Sequence, residues 1–190
     1  LPLRMEIQNT GTTDSSSTYK QICSTVISEG GYSITGRTFC IGHILGQPVN
    51  LSNVPTTFTP VISIRLKSSR PGAIVLPTTF SVTPVEQAVY KYQIYTRAIT
   101  TGGTWVSAGA NSSVEYNLNP TSITSGNVAL SALINATNQT SGSVENVQLP
   151  FQYQLERNSL TPTFYEIVIG VGASTNNTTC YASINWSEIT

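Results

Sequence analysis

Apolar and polar residues alternate along much of the chain with a period of two. In Val61–Lys67, the apolar Ile62, Ile64 and Leu66 fall on one face and polar residues fall on the other. Ala88–Ile99 repeats this pattern. The alternation is typical of half-buried strands, because successive strand side chains point to opposite faces of the sheet. Further segments rich in β-branched and aromatic residues are also predicted to be strands: Leu3–Gln8, Gln21–Ser28, Thr38–Leu45, Ala73–Leu76, Phe80–Thr83, Val114–Leu118, Asn127–Ile134, Gln148–Glu156, Phe164–Val171 and Cys180–Trp186.

Turn-forming residues separate these segments, among them Asn9–Gly11, Arg70–Gly72 and Ser125–Asn127. Short strands that alternate with such turns indicate a sandwich or barrel. Ser15–Ile27 has apolar residues at helical spacing and also alternates as a strand, and its β-branched residues favour the strand. We therefore predict an all-β fold, an antiparallel β-sandwich that is jelly-roll-like.

We expect a single β-sandwich domain over residues 1–190, with a small N-terminal subdomain at 1–55 as the alternative. The chain opens at Leu1 directly in a strand-like run. We interpret this start as that of a piece of a longer polypeptide.

Charged residues are unusually scarce. They make up 9% of the 190 residues, and nine basic residues balance nine acidic ones, whereas an ordinary domain is about 25% charged. Serine and threonine supply the polarity instead, with 23 Ser and 27 Thr. Without a basic surface, binding to nucleic acid or electrostatic binding to a membrane is not expected. A polar but uncharged surface loses little solvation energy when it packs against another subunit, so it indicates a structural role.

The residues that carry most enzyme and metal chemistry are sparse. Cys40 and His43 form a C-x-x-H pair, but on a strand that offset places them on opposite faces, so no metal site is predicted. The chain has three cysteines, Cys23, Cys40 and Cys180. We expect them to be buried and not to form a disulfide scaffold. Glu156 and Glu166 could form the carboxylate pair of a glycoside hydrolase, although surface acids explain them as well. We predict no catalytic residues, no cofactor and no enzyme activity.

Two further groups bear on binding. Arg65, Lys67 and Arg70 form the densest charged cluster, which fits a solvated strand face better than a contact to an acidic partner. Aromatic residues either fill the core and subunit contacts or, where exposed, stack against sugars. The candidate glycan-contact residues are Trp105, Tyr153 and Trp186.

Four stretches resemble a known family when taken together and in order. They are Leu1–Gly11, Lys20–Tyr32, Ile64–Thr78 and Thr104–Tyr116. They are similar to a segment of the large virion structural proteins of tailed bacteriophages, many from marine or environmental genomes. The resemblance covers roughly residues 1–120 and carries no catalytic motif. It implies location in the virion and contact with other virion proteins.

These observations predict a non-enzymatic virion structural protein that acts by subunit packing. A capsid decoration protein, a head fibre and a tail appendage all fit, with an outward-facing position favoured. We expect a homo-oligomer, with a trimer favoured, because virion parts assemble symmetrically. The alternative is a receptor-binding module for host-surface glycan.

Overall fold

The computed structural model describes residues 36–52, 57–137, 147–148, 154–155 and 164–189. The predicted strands at Leu3–Gln8 and Gln21–Ser28, and the helical alternative at Ser15–Ile27, lie outside the described residues. Every described segment that forms regular structure is a strand, and antiparallel pairing joins them. The strands are β1 (Arg37–Gly42), β2 (Val49–Asn50), β3 (Thr59–Leu66), β4 (Ile74–Pro84), β5 (Val89–Thr101), β6 (Val106–Ser107), β7 (Val114–Asn117), β8 (Ser122–Asn135), β9 (Val147–Gln148), β10 (Glu166–Ala173) and β11 (Thr179–Ile189).

Two sheets pack face to face. The first sheet has the order β1-β11-β4-β9, and β2 also pairs with β11. The second sheet has the order β6-β7-β3-β10-β5-β8. The predicted all-β antiparallel β-sandwich is therefore confirmed. Because β1 and β2 both pair with β11, residues 37–50 belong to the sandwich.

The pairing of the sandwich is nested. The first strand pairs with the last, β1 with β11, and β3 pairs with β10. Moving inward along the chain, β4 pairs with β9 and β5 pairs with β8. The short strands β6 and β7 form an additional hairpin at the β3 edge of the second sheet.

The core lies between the sheets, where the alternating apolar residues meet. Ile62, Ile64 and Leu66 of β3 are buried, as the alternation predicted. Trp186 on β11 is fully buried and stacks on Phe39 of β1, with ring centroids 6.0 Å apart. Burial of such side chains stabilises the fold by about 1.5–3 kcal/mol each.

Several strands differ from their predictions. The strand predicted at Thr38–Leu45 ends at Gly42, and residues 154–155 of the strand predicted at Gln148–Glu156 are not in a strand. Ala73–Leu76 and Phe80–Thr83 are expected as separate strands, but the continuous strand β4 includes Phe80–Thr83 and all of Ala73–Leu76 except Ala73. Pro77 pairs with Trp186 beside a register shift between β4 and β11, where Thr78 has no partner. Proline has no N–H to donate, and a bulge is one of the few places where a strand tolerates it. The proline therefore bends the pairing without ending the strand.

Candidate interaction site

Of the three candidate glycan-contact residues, only Trp105 is accessible among the described residues. Trp105 is half-buried just before β6, and the Arg65 guanidinium carbon lies 3.9 Å from the centroid of a Trp105 ring. Arg65 also bonds the Glu115 carboxylate, with Nη2 3.0 Å from Oε2. This cation–π contact covers part of the Trp105 ring and fixes the indole on the second sheet.

The expectation for Trp186 is wrong, because its side chain has no exposed surface. It alternates with Ile184 and Ala182 on the core face of β11, where no sugar can reach it. Its Nε1 donates to Glu188 Oε1 at 2.8 Å, which satisfies the only polar atom of the indole. Tyr153 lies outside the described residues.

The basic cluster binds the protein's own backbone. Lys67 Nζ donates to the carbonyl oxygens of Gly109 and Ser112 at 2.7 and 2.6 Å. Arg70 donates to the carbonyl oxygens of Ala110 and Asn111 at 3.3 and 3.2 Å. These contacts hold the loop between β6 and β7 in place, so the cluster is structural rather than a free surface for an acidic partner.

Buried Glu188 ties the two sheets together. It lies at the end of β11 in the first sheet, and Ser112 and Ser113 precede β7 in the second. Its Oε1 accepts from Ser112 Oγ at 2.5 Å and from Trp186 Nε1, and its Oε2 accepts from the Ser113 N–H at 2.6 Å. A buried carboxylate is tolerated only with such donors around it.

Glu166 likewise accepts bonds from its own sheet. Its carboxylate accepts from Ser63 Oγ, from the Thr100 N–H at 3.1 Å and from Thr100 Oγ1 at 2.6 Å. Glu156, its expected partner in a carboxylate pair, lies outside the described residues. Glu166 on β10 therefore links its strand by hydrogen bonds to both neighbouring strands, β3 and β5.

A third carboxylate, Glu86, lies beside two groups with perturbed pKa values. It accepts from the Thr179 N–H at 2.5 Å and from Tyr90 Oη at 3.3 Å. Burial, and then the negative Glu86, raises the pKa of the Tyr90 hydroxyl to about 12. The same two causes raise the pKa of the Cys180 thiol to about 12. Both side chains are therefore held in their neutral forms.

The cysteine predictions are mixed. Cys180 is buried as expected, whereas Cys40 is exposed on β1, so its predicted burial is wrong. Cys40 lies on β1, which pairs with β11 on one side only among the described strands. Cys23 lies outside the described residues. No group of three or more His, Cys, Asp or Glu side chains within the described ranges could hold a metal ion.

His43 anchors a turn that follows β1. Its backbone N–H donates to the Ala182 carbonyl oxygen, and its Nδ1 accepts from the Ala182 N–H, both at 3.1 Å. Nδ1 also lies 3.2 Å from the Ala182 carbonyl oxygen, and Nε2 lies 3.4 Å from the Leu118 carbonyl oxygen. His43 thus connects β1, β11 and the loop after β7.

The next four residues, Ile44–Gln47, form an apolar turn that projects into solvent. The Gln47 N–H bonds the Ile44 carbonyl at 3.0 Å, and Gly46 has a φ of 86°, a conformation that favours glycine. The Gly46 N–H donates to Tyr181 Oη at 3.0 Å. Ile44 is 68% exposed and Leu45 is 87% exposed. Large aliphatic side chains held outward by a fixed turn are a candidate contact surface.

A pocket lies next to the apolar turn. Its volume is about 530 Å³, and it lies between the turn and the loop that joins β7 to β8. We call it the proline pocket, because three prolines contribute to it and none of its lining side chains is an acid, a lysine or an arginine. The lining residues are His43, Ile44, Gln47, Pro48, Val49, Asn50, Thr59, Pro60, Leu118, Asn119, Pro120 and Thr121.

Strand β8 forms an edge of the second sheet. Among the described strands it pairs only with β5, and its 14 residues contain neither a charged residue nor a proline. Val128 and Leu133 are exposed on it. Proteins usually protect an open edge with charges or proline, so this unprotected edge is a second candidate surface for a partner.

Residue composition predicted the Asn127–Ile134 part of strand β8, but sequence reasoning did not identify its edge position or the apolar turn. Strand order depends on distant pairing, which alternation does not report. The run Ile44-Leu45-Gly46 carries a turn signal beside two aliphatic residues, and that signal could have marked the apolar turn.

No protein-family model, curated protein or solved structure matches the chain. The resemblance to virion proteins of tailed bacteriophages therefore stays a prediction. Within the described residues, no helix has the length and apolar character needed to cross a bilayer.

Proposed function

We propose that the chain is a non-enzymatic structural protein of a bacteriophage virion, which acts by subunit packing in an outward-facing capsid or appendage position. The observation that carries the proposal is the nested pairing of β1 with β11, β3 with β10, β4 with β9 and β5 with β8. This nesting supports a jelly-roll-like arrangement, in which a long hairpin is rolled up so that its outer strands pair with each other. Jelly rolls form viral capsid domains and also lectins, so the fold alone leaves both roles open.

The chemistry of the charged residues favours packing over catalysis. The four described carboxylates, Glu86, Glu115, Glu166 and Glu188, all bond groups of the protein itself. What the described surface offers to a partner is largely hydroxyl groups together with exposed aliphatic residues. Such a surface packs against another subunit without burying unpaired charge. The open edge of β8 adds a surface that a neighbouring strand could extend.

Incorporation into particles tests the proposal directly. An antibody raised against the purified chain is applied to gradient-purified tailed-phage particles from the marine and environmental samples to which the resemblance points. In parallel, the purified chain is mixed with the particles and sedimented. Detection in intact particles, or addition of the chain to them, supports the proposal. A monomer at high concentration that neither occurs in particles nor sediments with them contradicts it.

The second candidate function, binding of host-surface glycan, is favoured by one observation. Trp105 is partly exposed, and the Arg65–Glu115 ion pair beside it holds a charged donor and an acceptor of the kinds that bind sugar hydroxyls. The test is binding to a broad panel of cell-wall and capsular polysaccharides. Binding that Trp105→Ala abolishes and Tyr116→Phe preserves would favour it. Absence of binding across the panel would remove it.

A further inference from the structure

A pocket on the second sheet is lined mainly by hydroxyl groups, and we call it the hydroxyl pocket. Its volume is about 540 Å³, and it lies between the segment that leads into β3, strand β5 and the start of β8. Seven of its eleven lining residues are serine or threonine, and the other four are Phe58, Tyr95, Ile123 and Gly126. Because no charged side chain lines it, its chemistry does not suit a metal ion or a phosphate group.

The apolar side chains of the hydroxyl pocket converge over a glycine. Gly170 lies between two core residues of β10 and therefore faces the outer side of the second sheet. A Cβ on Gly170 would lie 2.9 Å from Tyr95 Cε2, 3.2 Å from Ile123 Cδ1 and 3.4 Å from Phe58 Cβ. The close approach of these three side chains thus depends on the absence of a side chain at Gly170.

We propose that the hydroxyl pocket binds one or two rings of a neutral saccharide. A sugar ring has hydroxyl groups around its edge and an apolar face of C–H groups. Phe58 and Tyr95 are both partly exposed, and aromatic rings provide the flat apolar surface against which such a face packs. The volume of about 540 Å³ lies within the range of roughly 300–1,000 Å³ that is usual for small-molecule pockets.

The hydroxyl groups of the pocket are oriented by bonds to the backbone. The Oγ1 atoms of Thr121 and Thr124 donate to backbone carbonyl oxygens at 3.0 and 2.9 Å, which leaves their lone pairs to accept from a ligand. Thr59 Oγ1 accepts from the Ser52 N–H at 2.7 Å, so its own hydrogen can be donated. The pocket therefore holds both acceptors and a donor in place, and a sugar hydroxyl acts as both.

The position of Phe58 is fixed from β5. Lys91 Nζ lies 5.9 Å from the centroid of the Phe58 ring, and this cation–π contact holds the ring while Lys91 itself stays outside the pocket lining. An aromatic ring that is already in place loses little conformational entropy on binding, which favours affinity. The inference goes beyond the proposed packing role and uses none of Trp105, Arg65 and Glu115.

Saturation-transfer-difference NMR on the full chain tests the site. The probes are the methyl glycosides of glucose, galactose, mannose and N-acetylglucosamine, together with maltose, cellobiose and lactose. We expect saturable binding of at least one of these sugars, with the strongest transfer to the C–H protons of one ring face. No transfer to any of them would overturn the proposal.

Variants then locate the bound sugar. Tyr95→Ala removes one aromatic ring, and Ser125→Trp fills the pocket from an exposed position, so each should weaken binding about tenfold or more. Gly170→Ala displaces the Tyr95 ring and should also weaken binding. Gly172→Ala is its matched control two residues along β10, because a Cβ there would meet neighbouring atoms only at 3.5 Å or more. Trp105→Ala, which removes an aromatic residue outside the pocket, should bind as the wild type does.

Two outcomes would overturn the assignment even if a sugar binds. The first is wild-type affinity in both Tyr95→Ala and Ser125→Trp, and the second is a loss of binding confined to Trp105→Ala, which would favour the other candidate surface. Urea unfolding of each variant shows that it is folded, so a loss of binding is not a loss of structure. The virion role is judged separately by addition to phage particles, which neither requires the sugar site nor follows from it.

Discussion

Removing the Glu188 carboxylate should cost much of the stability of the sandwich. Glu188→Ala leaves two obligate donors without an acceptor in the interior, the Ser113 N–H and the Trp186 Nε1–H. The Ser112 hydroxyl can rotate, so it is not counted. An unsatisfied buried donor costs about 1–3 kcal/mol, and the expected loss is therefore about 2–6 kcal/mol. That is a large part of the roughly 5–15 kcal/mol that stabilises a typical domain.

Glu188→Gln keeps the shape of the side chain but replaces one acceptor oxygen with an NH₂ group. With its NH₂ in the place of Oε2 the amide faces the Ser113 N–H, and with its NH₂ in the place of Oε1 it faces the Trp186 Nε1–H, so either orientation leaves one donor without an acceptor. We expect this variant to lose about 1–3 kcal/mol, the cost of a single unsatisfied donor.

Urea unfolding at neutral pH, followed by fluorescence, measures both changes in the free energy of unfolding. Glu115→Gln is the matched control, because its ion pair with Arg65 is part-exposed, with 32% and 25% of the two side chains accessible. Such pairs contribute about 0–1 kcal/mol. If Glu188→Ala lies within about 1 kcal/mol of both the wild type and the control, the proposed role of Glu188 in joining the sheets is refuted.

Two further predictions concern alkaline pH and backbone geometry. Because the pKa values of Tyr90 and Cys180 are raised to about 12 in the fold, from 10.0 and 9.0, stability should be full below pH 9 and fall as pH rises towards 12. Thermal unfolding at intervals from pH 8 to 12 measures this, and an unchanged midpoint would contradict it. Gly103→Ala should lower the free energy of unfolding by about 1–3 kcal/mol, because Gly103 has a φ of 71° and an added Cβ would collide with the Asn119 carbonyl. Gly72→Ala, at an open position with ordinary φ, is the control. In urea unfolding, its free energy of unfolding should lie within about 1 kcal/mol of the wild-type value. An equal loss in both variants would argue against backbone strain at Gly103.

Much of the fold could be predicted because alternation is a local signal. The pattern Ile62, Ile64, Leu66 follows directly from the geometry of one strand, and the structure buries all three. The prediction divided β4 into two strands, and between them Pro77 lies beside a shift in register, a place where a strand tolerates proline. The order of strands within the sheets depends on pairing between distant segments. The local pattern of a single sequence does not show which distant segments pair.

The roles of the polar residues were less predictable. The sequence indicated a solvated strand face for Lys67 and Arg70, but both donate to backbone carbonyls some 40 residues away. Every residue has a backbone carbonyl, so the sequence cannot show which of them a side chain will bond. Trp186 could be read as a surface aromatic because its burial depends on the position of β11 between two neighbouring strands. Exposure, which decides whether an aromatic residue can meet a ligand, is a property of the assembled sheets.

We propose that this sandwich is a virion subunit that packs against copies of itself and other virion proteins. The most direct measurement is the solution mass of the purified chain by light scattering, with the same sample sedimented with tailed-phage particles. We predict a stable assembly of three or more 20.4 kDa chains that sediments with the particles. A single 20.4 kDa species at every concentration, left in the supernatant, would contradict the claim.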